Sequence, residues 1–271
     1  MRVVEEPVED AADPRVHEFA RLTDMDLRQR IGPEQGIFMA EGHLVIERTV
    51  AAGLTLRSVL TEERWIPRLQ TLLADVDVPV YVANDEVLRS ITGYRVHRGA
   101  LATVNRPVMA TIDEILEGDG DVLVLEDLVD PTNVGLAIRS AVVQGIDRII
   151  VSPGCADPLY RKAVKSSMGA VLRCRWARSD DWPATLAAVA RSRRLLALTP
   201  TGQTPLEAAL AEAGSHPIAL AFGTEGPGLG DEVLGAAWRR CTIPMVTDED
   251  SLNVAAAVAV AAYARSRSMQ G

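Results

Sequence analysis

At 271 residues, with 48% hydrophobic and 24% charged side chains, the chain has ordinary globular composition, and it is long enough for a real hydrophobic core without disulfide staples. A formal net charge of −9 counts against a general nucleic-acid coat protein. Cys155, Cys174 and Cys241 lie far apart and the four histidines are scattered, so neither a CxxC pair nor a metal-ligand cluster exists; no metal is expected, and the thiols read as incidental in a reducing cytosol.

The opening segment, MRVVEEPVEDAADP, is acidic and lacks the apolar stretch of a signal peptide, so residues 1–14 read as a disordered lead-in. Beyond it, short β-rich runs alternate with helical patterns. Residues 56–60 predict a strand and 64–74 a helix. A strand at 78–82 follows, then a short helix capped by Asn84 or Asp85 and running through Ser90, then a strand at 101–104. Such alternation implies an α/β unit with a largely parallel sheet. Arg106 and Pro107 open a linker, because proline disfavours continued regular structure.

The second half is α/β again. Residues 122–125 are an apolar run, as in a strand buried on both faces. A helix is predicted over 133–143, ending near Gly145, with strands at 148–151, 195–198 and 218–222. Ser251 stands at the start of a last helix running through Ala264. Its apolar, alanine-rich run is about half a membrane span and reads as buried, so no membrane partner is expected and the protein is placed in the cytoplasm. The division is a lead-in at 1–14, a domain at 15–106 and a domain at 107–271.

Charge is uneven along the chain. Residues 158–179 contain no acid but carry Arg161, Lys162, Lys165, Arg173, Arg175 and Arg178; a second acid-free stretch carries Arg89, Arg95, His97, Arg98 and Arg106. Local basic patches on an acidic protein can bind phosphates, and a solvated helix face is the other reading of each.

Three segments stand where predicted strands end, the usual place for ligands in α/β folds. LEDLVDPTNVGLAIRSAVVQG, residues 125–145, runs from a strand through a turn into a helix, with Asn133 and Gly135 at the helix start and Arg139 further along. That arrangement suits a phosphate at a helix N-terminus gripped by an arginine, or simply a capped helix with a surface arginine. LAFGTEGPGLGDEV, residues 220–233, carries Gly223, Gly226, Gly228 and Gly230. Such a loop lets backbone groups approach a ligand, or makes a tight turn; it lacks the full G-x-G-x-x-G of a dinucleotide fold, which weakens a dehydrogenase reading. IPMVTDEDSLNVAAAVAVAAYA, residues 243–264, leads from a short strand through acids to Ser251, which suits a helix cap.

Together and in this order, the three segments resemble the motifs of the SpoU/TrmH class of SPOUT RNA methyltransferases. Asn133, Gly135 and Arg139 are similar to its N-x-G-x-x-x-R. Gly223, Glu225, Gly226, Gly228 and Leu229 are similar to its G-x-E-G-x-G-L, and Ile243, Pro244, Met245, Ser251, Leu252, Asn253 and Val254 to its I-P-M…S-L-N-V. FMAEGHLVIERTVAAG, residues 38–53, resembles the F-x-x-E-G segment that opens the accessory domain of many members. Thr224 departs slightly from the family pattern, and the loop VTDED at 246–250 is unusually acidic.

The resemblance implies an α/β architecture in which a C-terminal trefoil-knotted methyltransferase domain, an exception to the rule against knots, follows a small N-terminal α/β/α substrate-binding domain. It implies S-adenosylmethionine as cofactor, held by Gly223, Thr224, Glu225, Gly228, Ile243, Met245 and Leu252, and a homodimer with the site near the interface. The implied reaction is methylation of a ribose 2′-hydroxyl in RNA, ribosomal (23S) rather than transfer RNA. Base methylation on a related knotted fold and a non-catalytic RNA-binding relative are the alternatives. Catalytic roles fall on Arg139, Asn133, Glu225, Ser251 and Asn253. Arginine holds its proton far above neutral pH, which makes phosphate positioning and stabilisation of the developing alkoxide a simpler role for Arg139 than that of a base. Arg89, Arg95, Arg98, Arg161, Lys162 and Lys165 are the expected RNA contacts.

Overall fold

The computed structural model describes residues 5–20, 36–96, 99–224, 226–246 and 252–270. In chain order the elements are β1 (Glu5–Pro7), β2 (Ile37–Glu41), α1 (His43–Ala51), β3 (Leu56–Thr61), α2 (Ile66–Leu72), β4 (Val80–Val82), α3 (Asp85–Thr92) and β5 (Ala100–Asn105). There follow α4 (Ile112–Leu116), β6 (Val122–Leu125), α5 (Pro131–Val143), β7 (Arg148–Val151), α6 (Arg161–Ser166), β8 (Arg175–Arg178) and α7 (Trp182–Ser192). The rest are β9 (Arg194–Leu198), β10 (Thr204–Pro205), α8 (Leu206–Ala213), β11 (Ile218–Phe222), α9 (Asp231–Ala236), β12 (Arg239–Thr242) and α10 (Val254–Ser268). The chain forms two compact units, Met1–Val108 with Leu159–Leu172, and Met109–Pro158 with Arg173–Gly271.

In the first unit the described strands form a sheet in the order β1-β4-β3-β5-β2. Two of its pairings, β3 with β5 and β2 with β5, are antiparallel, so the sheet is mixed where strand–helix alternation suggests a largely parallel one. Alternation alone does not decide which way a strand returns. Pairing across β3 and β5 does: it joins the buried hydroxyls of Ser58 and Thr103 at 2.8 Å. Asn84, rather than Asp85, caps α3, its side chain accepting from the Val87 amide at 2.9 Å.

Two expectations about this unit are corrected. Residues 5–7 of the supposed lead-in form β1 beside β4, because Val8, Val16 and Phe19 are buried in the core with Leu60 and Tyr81. The segment Leu159–Leu172, which a boundary near 107 assigns to the second domain, groups with the first unit. Glu41 supplies the reason. Buried at the end of β2, its carboxylate accepts from Arg161 at 2.8 Å and Lys165 at 2.5 Å, one turn apart on α6. The Tyr94 hydroxyl adds a third bond at 3.3 Å.

In the second unit the described strands form a sheet in the order β10-β12-β9-β11-β6-β7-β8, with every pairing parallel. β6 is buried throughout, as its apolar run predicts; Val122 and Val124 enter a core with Leu186, Val189 and Leu195. Pro131 suits the first turn of α5, and Asp130 caps it, accepting from the Thr132 amide at 2.9 Å. The last helix is capped by Asn253, whose side chain accepts from the Ala255 amide at 2.9 Å; Ser251, the expected cap, lies outside the described residues. That helix also continues past its expected end at Ala264. Arg265 is buried, pairs with Asp121 at 2.8 Å, and donates to the carbonyls of Gly214 and His216, so a charged residue extends the helix rather than ending it.

Asp121 in turn accepts from the Ile218 amide at 2.9 Å, so one carboxylate joins the start of β6, the start of β11 and the end of α10. Removing one partner of a buried pair strands the other, so Asp121→Ala is expected to cost about 3 kcal/mol of unfolding free energy, read from urea melts; a loss under about 1 kcal/mol contradicts the anchoring role.

Candidate active site

The parallel sheet of the second unit ends its strands at one edge, and a cavity of about 390 Å³ opens there. Its walls come from the ends of β9 (Leu198, Thr199, Pro200), β11 and β12, and from the start of α10. Of the residues expected to hold a cofactor, Gly223, Thr224, Gly228, Ile243, Met245 and Leu252 all line it; Glu225 lies outside the described residues. The segment after β9 was not singled out from the sequence. Its signal is a Thr-Pro-Thr-Gly turn directly after an apolar strand, the same strand-end position as the three motifs.

The loop after β11 is shaped by close backbone packing. A Cβ on Gly223 would sit 2.1 Å from the Gly228 carbonyl oxygen, so the two arms of the loop touch where a side chain would separate them. Gly228 holds a φ of +75°, and its amide donates to the Thr224 carbonyl at 3.1 Å. The loop therefore exposes backbone groups beside apolar walls from Phe222, Ile243 and Leu252, a surface suited to a flat heteroaromatic ring with polar edges.

Beside the cavity, Asn253 Nδ2 donates to Asn133 Oδ1 at 3.3 Å, which joins the N-terminal ends of α5 and α10. Asn253 also lines the cavity; Asn133 and Arg139 do not. Arg139 sits further along α5, on a different face from Asn133, and is exposed. Ser251 lies outside the described residues.

The three cysteines offer no activated nucleophile. Burial pushes the Cys174 thiol up to about 12, with Asp147 adding to the effect, and pushes Cys241 up to about 11. Cys155 is raised by burial as well, and its thiol donates to the Leu125 carbonyl at 3.1 Å. The thiolate is the reactive form, so chemistry through a covalent cysteine adduct is disfavoured at neutral pH.

Comparison with known proteins adds the decisive observation. The model of the SpoU rRNA Methylase family matches residues 121–263, more than half of the chain. This chain belongs to the SpoU rRNA methylase family. An uncharacterised tRNA/rRNA methyltransferase of Mycobacterium tuberculosis is 38% identical to this chain over 261 residues, 96% of this chain and 91% of the relative. The structure of an AdoMet-bound rRNA methyltransferase from Sinorhizobium meliloti matches with a TM-score of 0.82 at 23% identity, covering 97% of this chain and 98% of that one, a likeness of fold. The structure of an RNA 2′-O ribose methyltransferase matches with a TM-score of 0.80 at 27% identity, covering 99% and 100%. The family expected from the three motifs and the mixed α/β fold class both hold.

Several of the basic residues expected to contact RNA are paired with acids. Arg89 pairs with Asp85 at 2.6 Å, and Arg95 approaches the same carboxylate at 3.5 Å. Arg161 and Lys165 are held by Glu41, and Arg161 lies over the Tyr94 ring at 4.4 Å. Lys162 is exposed, and Arg98 lies outside the described residues. Acid-free stretches of sequence are thus not free of acid in space. Among the described residues no helix is long and apolar enough to cross a membrane.

The raised thiol values set an expected reactivity: native protein at neutral pH leaves its cysteines unmodified by a disulfide exchange reagent, while all three react in urea. Rapid native labelling of any one of them would contradict the assignment.

Proposed function

We propose that this chain is an S-adenosylmethionine-dependent RNA methyltransferase that methylates a ribose 2′-hydroxyl, with ribosomal RNA as substrate class. The observation carrying this reading is the cavity at the sheet edge, lined by six of the residues expected to hold the cofactor and touching the Asn133–Asn253 contact. Its volume of about 390 Å³ lies within the range of about 300–1,000 Å³ typical of small-molecule sites, and the close packing of Gly223 on Gly228 brings backbone groups of the loop to its wall. Both features fit the adenosine part of the cofactor. S-adenosylmethionine, when bound, supplies an activated sulfonium methyl.

The protein's own residues do the rest. Backbone groups of Gly223, Thr224 and Gly228, with Ile243, Met245 and Leu252, hold the cofactor, and Glu225 faces the same task from the loop. The acceptor hydroxyl is a poor nucleophile, so positioning and charge stabilisation carry the rate. Arg139 grips the phosphate next to the acceptor ribose and stabilises the developing alkoxide. Asn253 and Asn133 fix the ribose side of the site, while Ser251 orients substrate. The first unit selects RNA, with Lys162, Arg89, Arg95, Arg98, Arg161 and Lys165 as its contacts. A homodimer is supported by exposed apolar side chains on the paired helices, Val143 on α5 and Val260 and Tyr263 on α10.

The decisive experiment is methyl transfer from labelled S-adenosylmethionine to deproteinised ribosomal RNA and, separately, to transfer RNA, followed by nucleoside analysis. A 2′-O-methylated nucleoside from the ribosomal pool is expected. Label on a base contradicts the chemistry, and label confined to transfer RNA contradicts the substrate class. Arg139→Ala is expected to lower turnover about 100-fold or more while cofactor affinity stays within a few-fold. Loss of cofactor binding with turnover intact would reverse that role. For RNA contacts, Lys162→Ala is expected to lower the slope of log affinity against log salt by about 1; an unchanged slope removes Lys162 from the interface.

A further inference from the structure

We infer that Glu126 is the positioning residue of the loop 223–229, holding both of its ends in the shape that receives the cofactor; the inference rests on the cofactor reading of the cavity. Glu126 follows β6 directly and is 7% exposed. Its backbone amide donates to the carbonyl of Phe222, the residue before the loop, at 2.9 Å. Its carboxylate Oε2 accepts from the amide of Gly230, the residue after the loop, at 2.7 Å. The other oxygen, Oε1, accepts from the indole Nε1 of Trp182 at 2.7 Å, which fixes the direction of the carboxylate. One residue thus closes the loop at entry and exit, while the Thr224–Gly228 bond and the Gly223–Gly228 approach set its interior.

Glu126 does not line the cavity, so it acts through the loop and not on the ligand. The chemistry at this position is demanding. Gly230 and Trp182 both present N–H donors, and an ionised carboxylate is acceptor-only, with an oxygen for each. Glutamine has one acceptor and one donor group, so whichever way it turns, an NH₂ faces an N–H. Holding a loop's ends in register before the ligand arrives lowers the ordering cost of binding. Gly230 is also the N-cap residue of α9, and a Cβ there would approach Glu126 Oε1 to 3.3 Å, so the carboxylate is fitted closely against the end of the loop.

The test is calorimetric titration of the full chain with S-adenosylmethionine, with melting temperatures recorded alongside. Glu126→Gln is expected to weaken binding about tenfold, and Trp182→Phe to stay within about threefold of wild type, since the Gly230 bond survives. The double variant is expected to recover to within about threefold of Trp182→Phe, because the glutamine oxygen can then serve Gly230 with nothing opposing its NH₂. A merely structural role moves the melting temperature of Glu126→Gln and of the double variant and leaves their cofactor affinity at the wild-type value. Wild type that fails to bind removes the cofactor reading and this inference together. Wild type that binds, with Glu126→Gln unchanged or the double variant no better than it, overturns the inference alone. Should Glu126→Gln not fold, hydrogen exchange at the Gly230 amide of wild type decides: exchange slowed by added cofactor supports the inference, and unchanged exchange overturns it.

Discussion

Parallel register between β6 and β11 sets the geometry of the second unit. Leu125 lies opposite Phe222, so the residues that follow, Glu126 and Gly223, leave the sheet side by side. β9 and β12 flank them in the same sense, with Leu198 opposite Cys241, so their outgoing segments converge at the same edge. A parallel sheet gathers its strand ends in this way, and the cavity is the space those ends enclose. Asp121 and Arg265 act at the opposite end of the strands, joining the starts of β6 and β11 to the end of α10. α10 begins beside the cavity and ends at that anchor, so a buried ion pair remote from the chemistry fixes the helix that carries Asn253.

Charge in this protein is largely organised by pairing. Exposed pairs such as Arg89 with Asp85 contribute little to stability, typically under about 1 kcal/mol, yet they decide which cations keep their full charge for a partner. Glu41 is a different case. Its buried carboxylate takes up Arg161 and Lys165 and keeps the Tyr94 hydroxyl protonated, with burial of the ring as the larger cause of that shift. The glutamate of the F-x-x-E-G segment is therefore an internal anchor for α6, and it removes two of the six basic residues read from the sequence as RNA contacts from the set of free charges.

Much of the second unit was legible in the sequence. The strands at 122–125, 148–151 and 218–222 needed no correction, because a strand buried on both faces must be apolar along its whole length. The loop motif was legible because close backbone approach at Gly223 admits no other residue, and in the first unit the cap at Asn84 because its side chain must replace a missing helical partner; the start of α5 reads as Asn133, whereas the helix begins two residues earlier, at Pro131, capped by Asp130. Less was legible at ends and edges. Arg265 reads as a helix stop until Asp121 is brought to it across the fold, and residues 5–7 read as disordered until β4 offers them an edge.

By itself the sequence determined the family, the strands β6, β7, β9 and β11, and the two cavity segments that follow β11 and β12, since each is encoded by local pattern: apolar runs and glycines at required contacts. The tertiary structure alone decided the antiparallel return of β5, the grouping of Leu159–Leu172 with the first unit, the pairing of Arg161 and Lys165 by Glu41, and the double hold of Glu126 on the loop. Each of the last three is a bond between groups far apart in the chain or a grouping built on one, and the direction of β5 is set by which strand it meets. Local pattern carries no record of which distant residue will complete a hydrogen bond or neutralise a charge; packing the core brings those groups together and makes the choice.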